Sequence, residues 1–191
     1  MGRGLVLLLG ILLFALPASG QQQATAAPAS QAAFRAAMVK YQGLGQAETN
    51  ALRRTDLVRD RGVALARALG EGLAFQRWRM TVADIDRFPA GDAMLTLRDP
   101  AMSTKGGLTP IFWNGGSGPL EESVAILPGT PIFERLRTMK AGDTIIVSGE
   151  FFPDVSGGPI YTTAKGGTRS DVEDFKKFNM PFFVIRIAEI Q

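Results

Sequence analysis

The chain contains no histidine and no cysteine. That removes the usual general base, the Ser-His-Asp relay, the thiolate nucleophile and the nitrogen and sulfur ligands of zinc. Acid–base or metal chemistry falls instead to carboxylates. Asp84, Asp86, Glu121, Glu122, Asp143, Glu150 and Asp154 could in principle supply a proton-transfer pair or oxygen ligands for calcium. None lies in a D-x-[DN]-x-[DN]-G run, and each is accounted for as a turn, cap or surface residue. The expectation is no metal, no cofactor and no enzymatic activity.

Residues suited to binding are better represented. Lys165-Gly166-Gly167-Thr168 has the composition of a phosphate loop without its G-x-x-x-x-G-K-[ST] order, so a mobile glycine-rich loop is the competing reading. Lys165 and Arg169 are the cations of this segment, and Tyr161 is the aromatic ahead of it. Trp113, next to Phe112, suits either stacking on a flat ligand or partial burial under the glycine-rich stretch that follows. With Arg98, these residues form the expected ligand-binding set: Arg98, Trp113, Tyr161, Lys165 and Arg169.

Elements must hold that set in place, and the N-terminus is not among them. Arg3 precedes an apolar run from Leu5 to Leu16, and Pro17-Ala18-Ser19-Gly20 puts small residues at the −3 and −1 positions of a cut after Gly20. Residues 1–20 read as a secretory signal peptide. The alternative is a retained anchor, but the run is shorter than the roughly 17–25 residues that span a bilayer. Export to the periplasm or beyond is expected, with no stable transmembrane segment after cleavage. Without Arg3, 20 basic residues face 18 acidic ones, too even a balance to mark a nucleic-acid binder by charge.

Residues 21–31, QQQATAAPASQ, are small and polar without period and are expected to form a disordered leader. Residues 32–72 read as a long amphipathic helical region with a weak point at Gly43-Leu44-Gly45. Phe34, Met38 and Tyr41 recur at helical spacing, and Ala51, Thr55, Val58, Gly62, Leu65 and Leu69 make one stripe. Arg53, Arg54, Arg59, Asp60, Arg61 and Arg67 fall on the other side, as a solvated face or as a surface for an anionic partner or lipid headgroups.

From Leu73 the period becomes two. Trp78, Met80 and Val82 oppose Arg77, Arg79 and Thr81, and Ile85 falls out of phase, which predicts a bulge in a long first strand. A turn at Pro89–Asp92 leads to a second strand over Ala93–Arg98. Two segments compete for the third, Leu108–Trp113 and Ser123–Leu127. Thr130 and Pro131 start a short helix as N-cap and first residue, with Ile132, Phe133, Leu136 and Met139 as its apolar side. Asp143–Phe152 is a fourth strand with Gly149 as a bend, and Pro181–Ile190 a fifth. Residues 73–191 thus make a β-rich α+β domain, a small five-stranded barrel with a helix between strands 3 and 4.

This order resembles the OB-fold. Trp78 through Ile85, Ile126 through Phe133, Leu136, Lys140, Gly142-Asp143, Val147 through Phe151, Pro181-Phe182-Phe183 and Ile190, with Asn50 and Arg61 upstream, are similar to a group of uncharacterised bacterial exported proteins, tRNA-anti-like, in which a helix joins an OB-like barrel. The resemblance implies a ligand face on strands 2 and 3, under the loops joining strands 1 to 2 and 4 to 5. Nucleic acid is not expected there, because only Arg98, Phe112 and Trp113 supply the interleaved cations and rings that single strands require. The expected function is an exported, non-enzymatic binding module of the cell envelope for a protein, a saccharide or a small anion. A structural or assembly role for the N-terminal helix is the alternative.

Overall fold

In the computed structural model, residues 26–102, 107–115, 123–153, 162–163 and 178–191 are described. Strand β1, Ala74–Arg87, buries Phe75, Trp78, Met80 and Val82 and turns Arg77 and Arg79 outward. It pairs antiparallel with β4, Thr144–Phe151, along its first half and with β2, Ala93–Arg98, along its second. Each pairing contains a register shift, between Phe75 and Trp78 against β4 and between Val82 and Asp84 against β2. The second is the bulge that the slip at Ile85 predicts. A strand must bend in this way to serve both sides of a closing sheet.

Strand β3 is Ile111–Trp113, antiparallel to β2. It settles the competition for the third strand, since Ile126 makes only an isolated bridge to Ala93. Strand β6, Phe182–Ile190, lies antiparallel to β4 and parallel to β3, which closes a mixed five-stranded barrel in the order β1-β2-β3-β6-β4. Strand β5, Thr162–Thr163, pairs along the first residues of β6.

Helix α3, Pro131–Leu136, lies between β3 and β4 in the chain. Thr130 caps it as predicted, its Oγ accepting from the Phe133 amide at 3.3 Å, and Phe133 and Leu136 enter the core.

The N-terminal region departs from its prediction in three ways. It is two helices, α1 at Ala29–Ala47 and α2 at Ala51–Leu69. The break falls at Glu48–Asn50, not at Gly43–Gly45, because the Asn50 side chain accepts from the Leu52 and Arg53 amides and starts a new helix. Gly45 is retained inside α1 for a packing reason: a Cβ there would run into the ring of Phe178. The second departure is that α1 begins at Ala29, inside the stretch read as a disordered leader, and Gln31 is fully buried.

The third concerns the stripe of α2. Ala51 and Thr55 are exposed, while Arg61 is 2% exposed and Arg54 is half-buried. The inward line runs through Arg54, Val58, Arg61, Leu65 and Leu69, so two of the arginines assigned to the opposite side are in it. The Arg61 guanidinium carbon sits 5.8 Å from the centre of the Phe178 ring, and burial pushes its pKa down to about 10, which leaves it charged at neutral pH.

Helix α1 packs its Phe34 into the barrel core. Phe34 inserts between Trp78, Phe112, Phe151 and Phe183, with ring centres 5.1, 5.9, 5.4 and 5.5 Å away. These rings come from β1, β3, β4 and β6, so one helical side chain bridges most of the barrel wall. Phe34, Met38 and Leu65 belong to the same core cluster as the strands.

Candidate functional site

The first turn of α1 is fastened to β1 by side chains acting as backbone. The Gln31 amide donates to the Arg79 carbonyl at 2.9 Å and accepts from the Arg79 N–H at 3.1 Å. Gln31 therefore fills the ladder position beyond the end of β2, whose last residue, Arg98, pairs with Thr81. Its Nε2 also donates to Asp99 at 3.1 Å, and Ser30 accepts from the Trp78 indole N–H at 3.1 Å. Asp99 is fully buried, receives Nε of Arg35 at 2.7 Å and accepts from the Ala101 amide through its other oxygen. Replacing Gln31 with Leu keeps the volume and removes both ladder bonds. At about 1–3 kcal/mol for each buried group left unpaired, Gln31→Leu is expected to lose about 2–4 kcal/mol in urea unfolding.

Beside this joint lies an open groove of about 860 Å³ between the start of α1 and the outer side of β1 and β4. Arg35, Arg77 and Arg79 line it, with Thr144 and Ile146 from β4 and Pro100 at the rim. Arg77 Nη1 donates to the side-chain oxygen of Gln191 at 2.9 Å, a neutral partner. Asp99 is the carboxylate paired with a groove arginine among the described residues.

Arg77 also stands in the left-handed region at φ 55°, within the β1 bulge, where its N–H donates to Ser148 Oγ. That conformation costs a non-glycine residue about 1–2 kcal/mol.

Of the predicted contact residues, Arg98 and Trp113 share one outer face. Arg98 is opposite Ile111 and Trp113 opposite Thr96 across β2–β3, while the intervening Leu97–Phe112 pair points inward. Trp113 is half-buried, with the six-membered part of its indole packed on Gly115, as the partial-burial reading has it. Tyr161, Lys165 and Arg169 lie outside the described residues.

The pairing of β1 with β4 is antiparallel, so the Pro89–Asp92 turn and the chain leaving β4 at Phe151 are at opposite barrel ends. Arg98 is next to Thr81 and one alternation from Arg79, which puts it at the edge of the arginine groove. Arg35, Arg77 and Arg79 were not among the expected contacts. The signal for two of them was present, since Arg77 and Arg79 alternate with Trp78 and Met80. Arg35 carried none, because its place depends on how α1 docks.

Among the described residues no group of three or more acidic side chains could hold a metal, and no helix is long and apolar enough to cross a membrane. Neither a family model, nor a curated protein, nor a solved structure matches the chain.

Proposed function

We propose that the chain is an exported, non-enzymatic OB-like binding module of the cell envelope. The observation that supports this reading is the parallel pairing of β3 with β6, Ile111 to Phe182 through Trp113 to Val184, which closes a five-stranded barrel; the OB-like assignment is our inference from that closure and from the chain order β3, α3, β4. Export rests on the signal-like run of residues 1–20, and the lack of histidine and cysteine favours binding over catalysis. Ligand contact on the β2–β3 side is supported by Arg98 and Trp113 sharing one face, with Tyr161, Lys165 and Arg169 as its loop contacts. The test is affinity capture from envelope extract with the purified full chain, followed by identification of what is retained. Loss of the retained species on Lys165→Ala with Arg169→Ala, in a folded protein, supports this placement; unchanged recovery removes those two residues from it.

A second reading, assembly through the helices, has its own observation. Leu52 is 80% exposed and Leu44 42%, both at the tip where α1 meets α2, beside a pocket lined by Leu44, Arg53, Asp56 and Leu57. Against a helix that works apart from the barrel stands Phe34, which is barrel core. Leu44→Glu with Leu52→Glu leaves the core untouched, so loss of a captured protein in that variant would favour assembly.

A further inference from the structure

We propose that the groove between the start of α1 and β1–β4 is a binding site for a ligand carrying at least two oxyanion groups, phosphate or carboxylate. Arg77 and Arg79 are its principal contacts and Arg35 its third. The inference deepens the binding-module reading and rests on it, but it moves the centre of recognition from Tyr161, Lys165 and Arg169 to this groove.

Charge accounting comes first. Three arginines line the groove, and the carboxylate paired with one of them among the described residues, Asp99, is fully buried and bonded to Arg35. Arg77 meets a neutral amide, and Arg79 has no side-chain hydrogen bond or ion pair among the described residues. Neither of these two cations is paired with a carboxylate among the described residues. A guanidinium presents parallel N–H donors that match a carboxylate or phosphate edge in a bidentate manner, whereas a surface lacking such a ligand gains nothing from setting two of them side by side.

The walls add to the same field. Helix α1 is 19 residues long and starts at the groove with Pro28 as its N-cap, no side-chain cap and no acidic residue in the first turn. No residue of that turn offsets its positive end. The backbone of Arg77 is a separate indication. At φ 55° glycine would be free of strain, and the chain instead holds an arginine among the residues that line the groove. The volume of about 860 Å³ lies within the range of small-ligand sites and exceeds what a single inorganic ion fills. Mutual position is fixed by Gln31, which ties the first turn of α1 to the backbone of Arg79, so the cations are held on a rigid frame.

The experiment is calorimetric titration of the full chain with pyrophosphate, repeated at rising salt. Binding that weakens steeply with ionic strength is expected. Arg77→Ala with Arg79→Ala should weaken it at least a hundredfold, about tenfold for each charge-assisted contact, whereas Arg135→Ala with Arg137→Ala, which removes the same charge from the C-terminal end of α3, outside the groove lining, should change it less than twofold. Arg77→Gly relieves the left-handed strain and so remains folded; it alone should cost about tenfold. No binding by pyrophosphate, or equal loss in both double variants, overturns the proposal.

Vesicles containing phosphatidylglycerol separate the two sources of the same chemistry. Retention on them that pyrophosphate displaces, and that the Arg77/Arg79 variant loses, assigns the site to lipid headgroups; pyrophosphate binding without retention assigns it to a soluble anion. Capture of an envelope partner that survives the Arg77/Arg79 change would leave the binding module standing and sink the groove assignment.

Discussion

Phe34→Ala should lower the free energy of unfolding by about 3–5 kcal/mol, the range for deleting a buried aromatic ring. Phe34 is fully buried, and its ring is in contact range of Trp78, Phe112, Phe151 and Phe183, so the cavity it leaves is bounded by rigid rings from four strands. Such walls collapse poorly, which places the cost toward the upper end. Against a total of about 5–15 kcal/mol for a typical domain, the loss should shift the urea midpoint well below that of the parent protein. A second readout separates cavity formation from undocking. If α1 is core, proteolysis within residues 26–47 should accelerate together with global unfolding, because the helix cannot leave without opening the barrel. A loss under about 1 kcal/mol, or cleavage in α1 with barrel stability unchanged, would show that the helix is an appendage.

Gly149→Ala is expected to cost about 3 kcal/mol or more, although a single methyl group is the entire change. Gly149 pairs with Phe75 in β1 and with Ile187 in β6, at the register shift that follows Ser148. A Cβ there would run into the carbonyl oxygen of Arg186 and come within 2.9 Å of the Phe75 ring. A ring can turn aside; a backbone oxygen in the β4–β6 ladder can move only with its strand. The combination Gly149→Ala with Phe75→Leu therefore should not restore stability. Recovery to within 1 kcal/mol of Phe75→Leu alone would show that the ring, not the ladder, sets the constraint.

Stability and binding should separate cleanly in this chain. Phe34, Gly149 and Gln31 act on the fold, whereas the side chains of Arg77 and Arg79 are exposed and bear on ligand, the strained backbone of Arg77 apart. Arg35 belongs to both classes, since its Nε bonds the buried Asp99 carboxylate.

What the sequence by itself determined was whatever neighbours in the chain decide. Alternation set the phase of β1, with Trp78, Met80 and Val82 inward; the slip at Ile85 marked a bulge; Thr130 and Pro131 marked the start of α3; and Pro89–Asp92 marked the hairpin. In each case the physical cause lies within a few residues: the pleat, the φ of proline, a hydroxyl reaching an amide. Tertiary structure alone decided the rest. The stripe on α2 was ambiguous because Arg54 and Arg61 fit the inward line at the same spacing as apolar residues, and only packing against Phe178 picks that rotation of the helix. Gln31 looked like leader because a polar residue in a small-residue run carries no periodic signal; its burial depends on the edge of β1 at Arg79, 48 positions away in the chain, where β2 ends one step too early and a side-chain amide can complete the ladder. The groove is the product of that same joint, since Arg35 meets Arg77 and Arg79 only once α1 has put Phe34 into the barrel.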